Sequence, residues 1–181
     1  MAKAINNQVF FSEQKTPNWE HPPIVVAWQF SFAENLGALL RVCDNFGVQK
    51  VYFIGEEKDY NLSKIKRLAT TSFSKVDIHF VLPEQIWEEL PNDCLKIAVD
   101  TTSESVSLVN YRFDSILKTH KEFCLFFGNE TVGLQSEVIS NCDASIHIPM
   151  IGNTYSMNVV QAASVVLFES VKQCLNFEKH D

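Results

Sequence analysis

The sequence is poor in the glycine patterns from which the commonest nucleotide sites are built. Six glycines occur among 181 residues: Gly37, Gly47, Gly55, Gly128, Gly133 and Gly152. None falls into G-x-G-x-x-G or the P-loop pattern, and there is no G-x-S-x-G elbow. A nucleotide-like ligand must therefore be held by some other geometry. Cysteine pairing is also missing. The five cysteines (Cys43, Cys94, Cys124, Cys142, Cys174) form no C-x-x-C pair, and none of the five histidines stands near them at zinc-ligand spacing. They read as reduced, mostly buried thiols, and no metal site is expected. No apolar run reaches the roughly 18 residues of a membrane span; the richest stretch, 157–168, is interrupted by Asn158, Gln161 and Ser164. The first residues, MAKAINNQVFFSEQK, lack the apolar centre and small-residue cleavage site of a signal peptide. A cytoplasmic protein without membrane contact is expected.

The composition is that of an ordinary globular chain, 46% hydrophobic and 20% charged, of a length suited to one domain. The expected division is an N-terminal arm at 1–23, one domain over 24–175 and a short tail at 176–181. The net charge of −7 argues against a uniformly basic nucleic-acid-binding surface. The charge is uneven, however. Between Tyr60 and Lys75 stand Lys64, Lys66, Arg67 and Lys75 with no acid, whereas 83–104 carries Glu84, Glu88, Glu89, Asp93, Asp100 and Glu104 against Lys96 alone. On its own the basic stretch reads as a solvated helix face; beside the motifs described next it is a candidate RNA-binding patch.

Short apolar runs predict strands at 24–29 (IVVAWQ), 51–54 (VYFI), 76–81, 95–99, 123–127 (FCLFF) and 145–148. Helical spacing of Leu36, Leu39, Leu40, Cys43 and Phe46 predicts a helix over 35–46 that stops at Gly47. Further helices are predicted at 62–68, 83–90 (opened by Pro83), 134–140 and 157–175. Strands without polar alternation, separated by helices, indicate an α/β domain with a mainly parallel sheet covered on both faces.

Three constellations carry the candidate chemistry. The first is Asn35-Leu36-Gly37-Ala38-Leu39-Leu40-Arg41. Asn35 reads as a helix N-cap, and Arg41, taken alone, as a surface residue paired with Asp44 at i+3. The second is Phe126-Phe127-Gly128-Asn129-Glu130-Thr131-Val132-Gly133-Leu134, a buried strand ending in a polar turn where ligands of parallel sheets bind. Glu130 alone reads as a carboxylate near a helix N-terminus. The third runs from Ile148-Pro149-Met150-Ile151-Gly152 to Ser156-Met157-Asn158, a loop leading into the last helix, with Ser156 as its N-cap.

In this order and spacing, N-x-G-x-x-x-R, G-N-E-x-x-G-L and I-P-M-x-G-x-x-x-S-x-N together resemble the signature of the SpoU-type RNA ribose 2′-O-methyltransferases of the SPOUT class, over about residues 24–175. The resemblance implies a C-terminal deep trefoil knot, which no pattern argument would propose. It implies S-adenosylmethionine held by Gly128, Ile148 and Met157, with Thr101 as a further candidate for that pocket. Arg41 matches the arginine central to catalysis, and Asn35, Glu130, Ser156 and Asn158 match the polar residues around it. The chain departs from the family at Thr131, where glycine is usual, and at Met157, where leucine is. It also departs at Val160-Gln161-Ala162, where a small Ser-Val-Ala run is usual.

What the resemblance implies chemically is metal-free transfer of a methyl group to a ribose 2′-hydroxyl of tRNA or rRNA. Arg41 then serves either as the base or as a bidentate clamp on the adjacent phosphate. The RNA would lie over Arg41, Lys64, Lys66, Arg67 and Lys75. A homodimer sharing its sites is implied, and the last helix, apolar along much of its length, fits its interface and equally a monomer core. The flanks are short, so substrate choice falls to the core or to an accessory protein. Two rivals stand beside this reading: a catalytically inactive RNA-binding relative, and another nucleotide-binding α/β enzyme.

Overall fold

The computed structural model describes residues 6–7, 19, 21–118 and 122–177. Most of the arm expected at 1–23, and residues 178–181 of the expected tail, lie outside the described residues. The strands are β1 (Ile24–Trp28), β2 (Lys50–Ile54), β3 (Asp77–Val81), β4 (Cys94–Val99), β5 (Val106–Ser107), β6 (Glu122–Phe127) and β7 (Ala144–His147). They form one sheet in the order β3-β2-β1-β6-β4-β7-β5, parallel at every pairing. The helices are α1 (Ala33–Asn45), α2 (Leu62–Ala69), α3 (Ile86–Glu89), α4 (Ser136–Ser140) and α5 (Val159–Phe177).

Both faces of the sheet are covered, which is why its central strands are apolar without alternation. Alternate residues of β1 serve opposite cores, since successive side chains of a strand point to opposite faces. Val25 and Ala27 pack with Leu36, Leu39 and Leu40 of α1 and Ala163, Val166 and Leu167 of α5. Ile24, Val26 and Trp28 pack with Ile86 and Val138 on the other side. The α1–α2 contact is close at Gly37, where a Cβ would stand 2.6 Å from Leu68 Cβ and 3.0 Å from the Ile65 carbonyl oxygen.

The mainly parallel α/β architecture agrees with the sequence, but several details differ. Strand β5 has two residues and pairs only with β7, too short to leave a periodic trace. The helix expected over 83–90 is only the single turn of α3. Leu90 is already extended (ψ 144°), as the residue before Pro91 must be. Asn35 is not the N-cap of α1. Phe32 holds that position without a side-chain cap, because its carbonyl already accepts the N–H groups of Asn35 and Leu36 at 3.0 and 3.3 Å. Ser156 is not the cap of α5 either. Asn158 accepts the Val160 N–H on Oδ1 at 2.9 Å, and its carbonyl accepts the Ala162 N–H at 2.9 Å. The last helix therefore starts at Val159, two residues later than the apolar pattern suggests.

Candidate active site

The carboxyl ends of β4, β6 and β7 open into a cavity of about 360 Å³, closed on the far side by the loop ahead of α5. This is where open parallel sheets place ligands. Gly128 follows β6 and packs directly beneath the turn that returns over it. A Cβ there would lie 2.3 Å from the Gly133 carbonyl carbon and 2.4 Å from the Leu134 nitrogen, so no larger residue fits. The turn is pinned by Asn129, whose Oδ1 accepts the N–H groups of Thr131 and Val132 at 2.9 and 3.2 Å. Its amide donates to the Gln29 carbonyl at 2.7 Å and to Ser31 Oγ at 2.9 Å. Gln29 takes a left-handed φ of 50°, uncommon for a non-glycine residue, and that contact holds it there. Thr131 itself is exposed and outside the positive-φ set, so the usual glycine is not required for its backbone.

Asp100, at the end of β4, completes the turn's support. Its carboxylate accepts the Leu134 N–H and its neighbour Thr101's N–H, each at 2.7 Å. Gly133 (φ 68°) leaves it room, since a Cβ would come within 2.7 Å of Asp100 Oδ2. Sequence reasoning missed Asp100, which reads there as one more acid in an acidic stretch. Asn129 was visible inside its motif but was not singled out.

Glu130 ties the turn to α1. Its carboxylate accepts the Ser31 N–H at 2.9 Å, the Phe32 N–H at 3.2 Å and the Asn35 side-chain amide at 2.8 Å. It thus supplies, from a distant part of the chain, the anion that the uncapped start of α1 lacks. Asn158 donates to Asn35 Oδ1 at 3.3 Å, so Glu130, Asn35 and Asn158 form one chain of contacts linking all three motifs. Arg41 is exposed and has no hydrogen-bond or ion-pair partner among the described residues. Its alternative partner, Asp44, is engaged elsewhere, accepting from Ser72 Oγ at 2.7 Å and facing Lys75 Nζ at 3.6 Å.

The structure thus brings Gly128, Thr101, Ile148, Met157, Glu130, Ser156 and Asn158 around one cavity, while Asn35 and Arg41 do not line it. The lining joins an apolar wall (Val99, Phe127, Ile148, Val159, Ala162) to convergent polar groups from Asp100, Asn129 and Asn158, the mixture a nucleoside-bearing small molecule requires. Among the described residues, no lysine or arginine lines it. Gln161 is exposed and does not disturb the packing of α5. Of the basic stretch, Lys64 pairs with Glu34 and Lys75 with Asp44. Lys66 lies over the Phe73 ring at 5.0 Å and, like Arg67, is exposed. Cys43, Cys94, Cys124 and Cys174 are buried and Cys142 is half-buried. Burial pushes the Cys43 and Cys124 thiols well up and that of Cys142 to about 12, so none of these three is a ready nucleophile.

Residues 22–168 match the SpoU rRNA Methylase family. A 23S rRNA (uridine(2479)-2′-O)-methyltransferase of Streptomyces viridochromogenes is 30% identical over 143 residues, covering 77% of this chain and 48% of that enzyme. A chain solved in work on 2-OH methylation of C/U34 on tRNA superposes with a TM-score of 0.76 at 26% identity, covering 87% of this chain and 99% of that one. An AdoMet-bound rRNA methyltransferase from Sinorhizobium meliloti superposes with a TM-score of 0.71 at 25% identity, covering 84% and 58%. By sequence, the chain spans about half the length of the relatives it matches.

Proposed function

The chain belongs to the SpoU rRNA methylase family, and from that premise we propose that it transfers a methyl group from S-adenosylmethionine to a ribose 2′-hydroxyl of tRNA or rRNA. The observation that carries this reading is the convergence of the second and third motifs on one cavity, with the first motif tied to both through the contacts of Asn35 with Glu130 and Asn158. Solved relatives lend further support, one of them with AdoMet bound. Gly128, Thr101, Ile148 and Met157 are assigned to hold the cofactor. When bound, it supplies a methyl group already activated on a sulfonium, and the protein's task is alignment of the two reactants. We read the loop at 148–158 as part of a C-terminal trefoil knot and residues 24–175 as a single domain. The cytoplasm is the assigned compartment; among the described residues no helix is long and apolar enough to cross a membrane.

Glu130 is read as an anchor rather than a base, because its two oxygens already receive three donors. Arg41 is the unpartnered cation of the motifs. A guanidinium stays protonated near neutrality, and its planar fork suits a bidentate grip on the phosphate beside the target ribose. Among the described residues the cavity has no lysine or arginine of its own, so a second copy of the chain is assigned to present Arg41 to it. An apolar groove between Leu108, Val109, Pro149, Val165 and Phe168 is the surface read as covered by that copy. Phe168 is 57% and Val109 77% exposed, and burying them would stabilise a homodimer. Ultracentrifugation is expected to show a dimer at micromolar concentration, and a monomer would remove the shared-site reading.

The decisive experiment supplies labelled S-adenosylmethionine with total RNA and maps the product. Label is expected in tRNA or rRNA at a nucleotide whose 3′ phosphodiester resists alkali. Cofactor binding without RNA labelling would instead identify an inactive RNA-binding relative. Arg41→Ala is expected to lower transfer about 100-fold, the scale of a misaligned reactant, while cofactor affinity in calorimetry stays near that of the unsubstituted protein.

A further inference from the structure

His147 and Ser105 belong to none of the three motifs, yet their contacts fix where a proton sits. Ser105 Oγ donates to the Thr102 carbonyl at 2.9 Å and accepts the Thr102 N–H at 3.1 Å. A hydroxyl has one proton and two acceptor sites. That proton is committed to a carbonyl, which can only accept, so the 2.8 Å contact between Ser105 Oγ and His147 Nδ1 must use a proton on Nδ1. In the neutral ring Nε2 is then an acceptor. The backbone is held as firmly. The His147 carbonyl accepts the Leu108 N–H at 2.8 Å, and Ser107 pairs with His147 across β5 and β7.

His147 is half-buried and lines the cavity, and Nε2 has no hydrogen-bond partner among the described residues. Strand β7 is three places from β1 in the sheet, about 14 Å at the usual spacing. The imidazole therefore stands away from Asn35 and α1 of its own chain and beside Ile148 and Thr101, where the cofactor is assigned. We propose that His147 is a further cofactor-recognising residue, whose Nε2 accepts a hydrogen bond from an N–H or O–H donor on the adenosine portion of S-adenosylmethionine. Ser105 is the positioning residue that sets its tautomer. This inference rests on the cofactor reading of the cavity.

The test compares four proteins by calorimetry with S-adenosylhomocysteine, each checked by thermal melting. His147→Ala removes both hydrogen bonds. His147→Asn keeps a donor near the position of Nδ1 but no acceptor at that of Nε2, and His147→Gln does the reverse. About tenfold weaker binding is expected for the Ala and Asn variants, the scale of a single hydrogen bond, with the Gln variant recovering most of the affinity. Binding by the Asn variant equal to that of the unsubstituted protein would reduce His147 to a structural tether and overturn the inference. So would equal binding by all four. Ring nitrogen NMR on the ligand-free protein is expected to show the proton on Nδ1; the opposite tautomer also overturns it. Failure of the unsubstituted protein to bind would instead strike the cofactor reading itself, and this inference with it.

Discussion

At the scale of single residues, the room for a side chain differs sharply between glycines of the three motifs. Gly128 and Gly152 both belong to the motifs but differ in their surroundings. A Cβ on Gly128 meets backbone at 2.3 Å, whereas one on Gly152 meets nothing within 4 Å. Gly128→Ala is therefore expected to abolish cofactor binding in calorimetry, and Gly152→Ala to leave it unchanged. Backbone atoms cannot swing aside as a side chain can, so the turn over Gly128 must move as a unit. Gly37 is the analogous position in α1. Gly37→Ala is expected to destabilise the fold by about 1–3 kcal/mol through overpacking against α2, read as a lower melting temperature. Gly37 and Gly128 are visible in their motifs, but what excludes a side chain at each is not. It lies in Leu68, Ile65 and the 133–134 backbone, which only folding brings near.

At the scale of elements, α1, which carries the first motif, and α5, which follows the third, are started differently. The N-terminus of α1 has no side-chain cap of its own and relies on Glu130 from the turn after β6. The start of α5 is capped locally by Asn158, which also reaches Asn35 through its amide. These two duties can be separated. Asn158→Ala is expected to cost about 1 kcal/mol of stability, the usual loss for a cap, and to lower methyl transfer. Asn158→Asp keeps a good cap but not the amide, so melting should recover while transfer stays low. Recovery of both would show that Asn158 acts only through the helix. Local pattern placed α1 and α5 within a few residues and put the caps on Asn35 and Ser156. The true starts were hidden because capping depends on backbone direction, which the turn and the sheet impose.

For the whole molecule, charge and burial set the response to salt and pH. The net charge of −7 opposes RNA binding, whereas the expected RNA-binding patch on α2 exposes Lys66 and Arg67. RNA affinity is expected to fall steeply with salt. The double substitution Lys66→Glu, Arg67→Glu should flatten the logarithmic slope by roughly 0.7–0.9 for each phosphate no longer neutralised, measured by filter binding. An affinity indifferent to salt would refute that interface. At the alkaline end, burial pushes the phenols of Tyr60 and Tyr111 up to about 12. A pKa raised on folding contributes stability that is complete below the unfolded value near ~10 and lost as pH rises through the folded one. Unfolding free energy should therefore decline between about pH 10 and 12. Tyr60, whose hydroxyl donates to the Ile54 carbonyl at 2.8 Å, should account for part of it, so Tyr60→Phe is expected to flatten the decline.

The sequence by itself determined the class of fold and the identity of the motifs. Apolar runs without alternation can be satisfied only by a sheet covered on both sides, and the spacing of Asn35, Arg41, Gly128, Glu130 and Asn158 is a property of the chain alone. The tertiary structure decided which of these residues meet. Glu130 reaches Asn35 across 95 positions of sequence because β1 and β6 are neighbours in the sheet. Asp100 supports the turn after β6 because β4 lies on its other side. The tautomer of His147 depends on Ser105, 42 residues away. Such contacts follow from strand order, and strand order is fixed by how all the apolar faces are buried at once, not by any local run of residues.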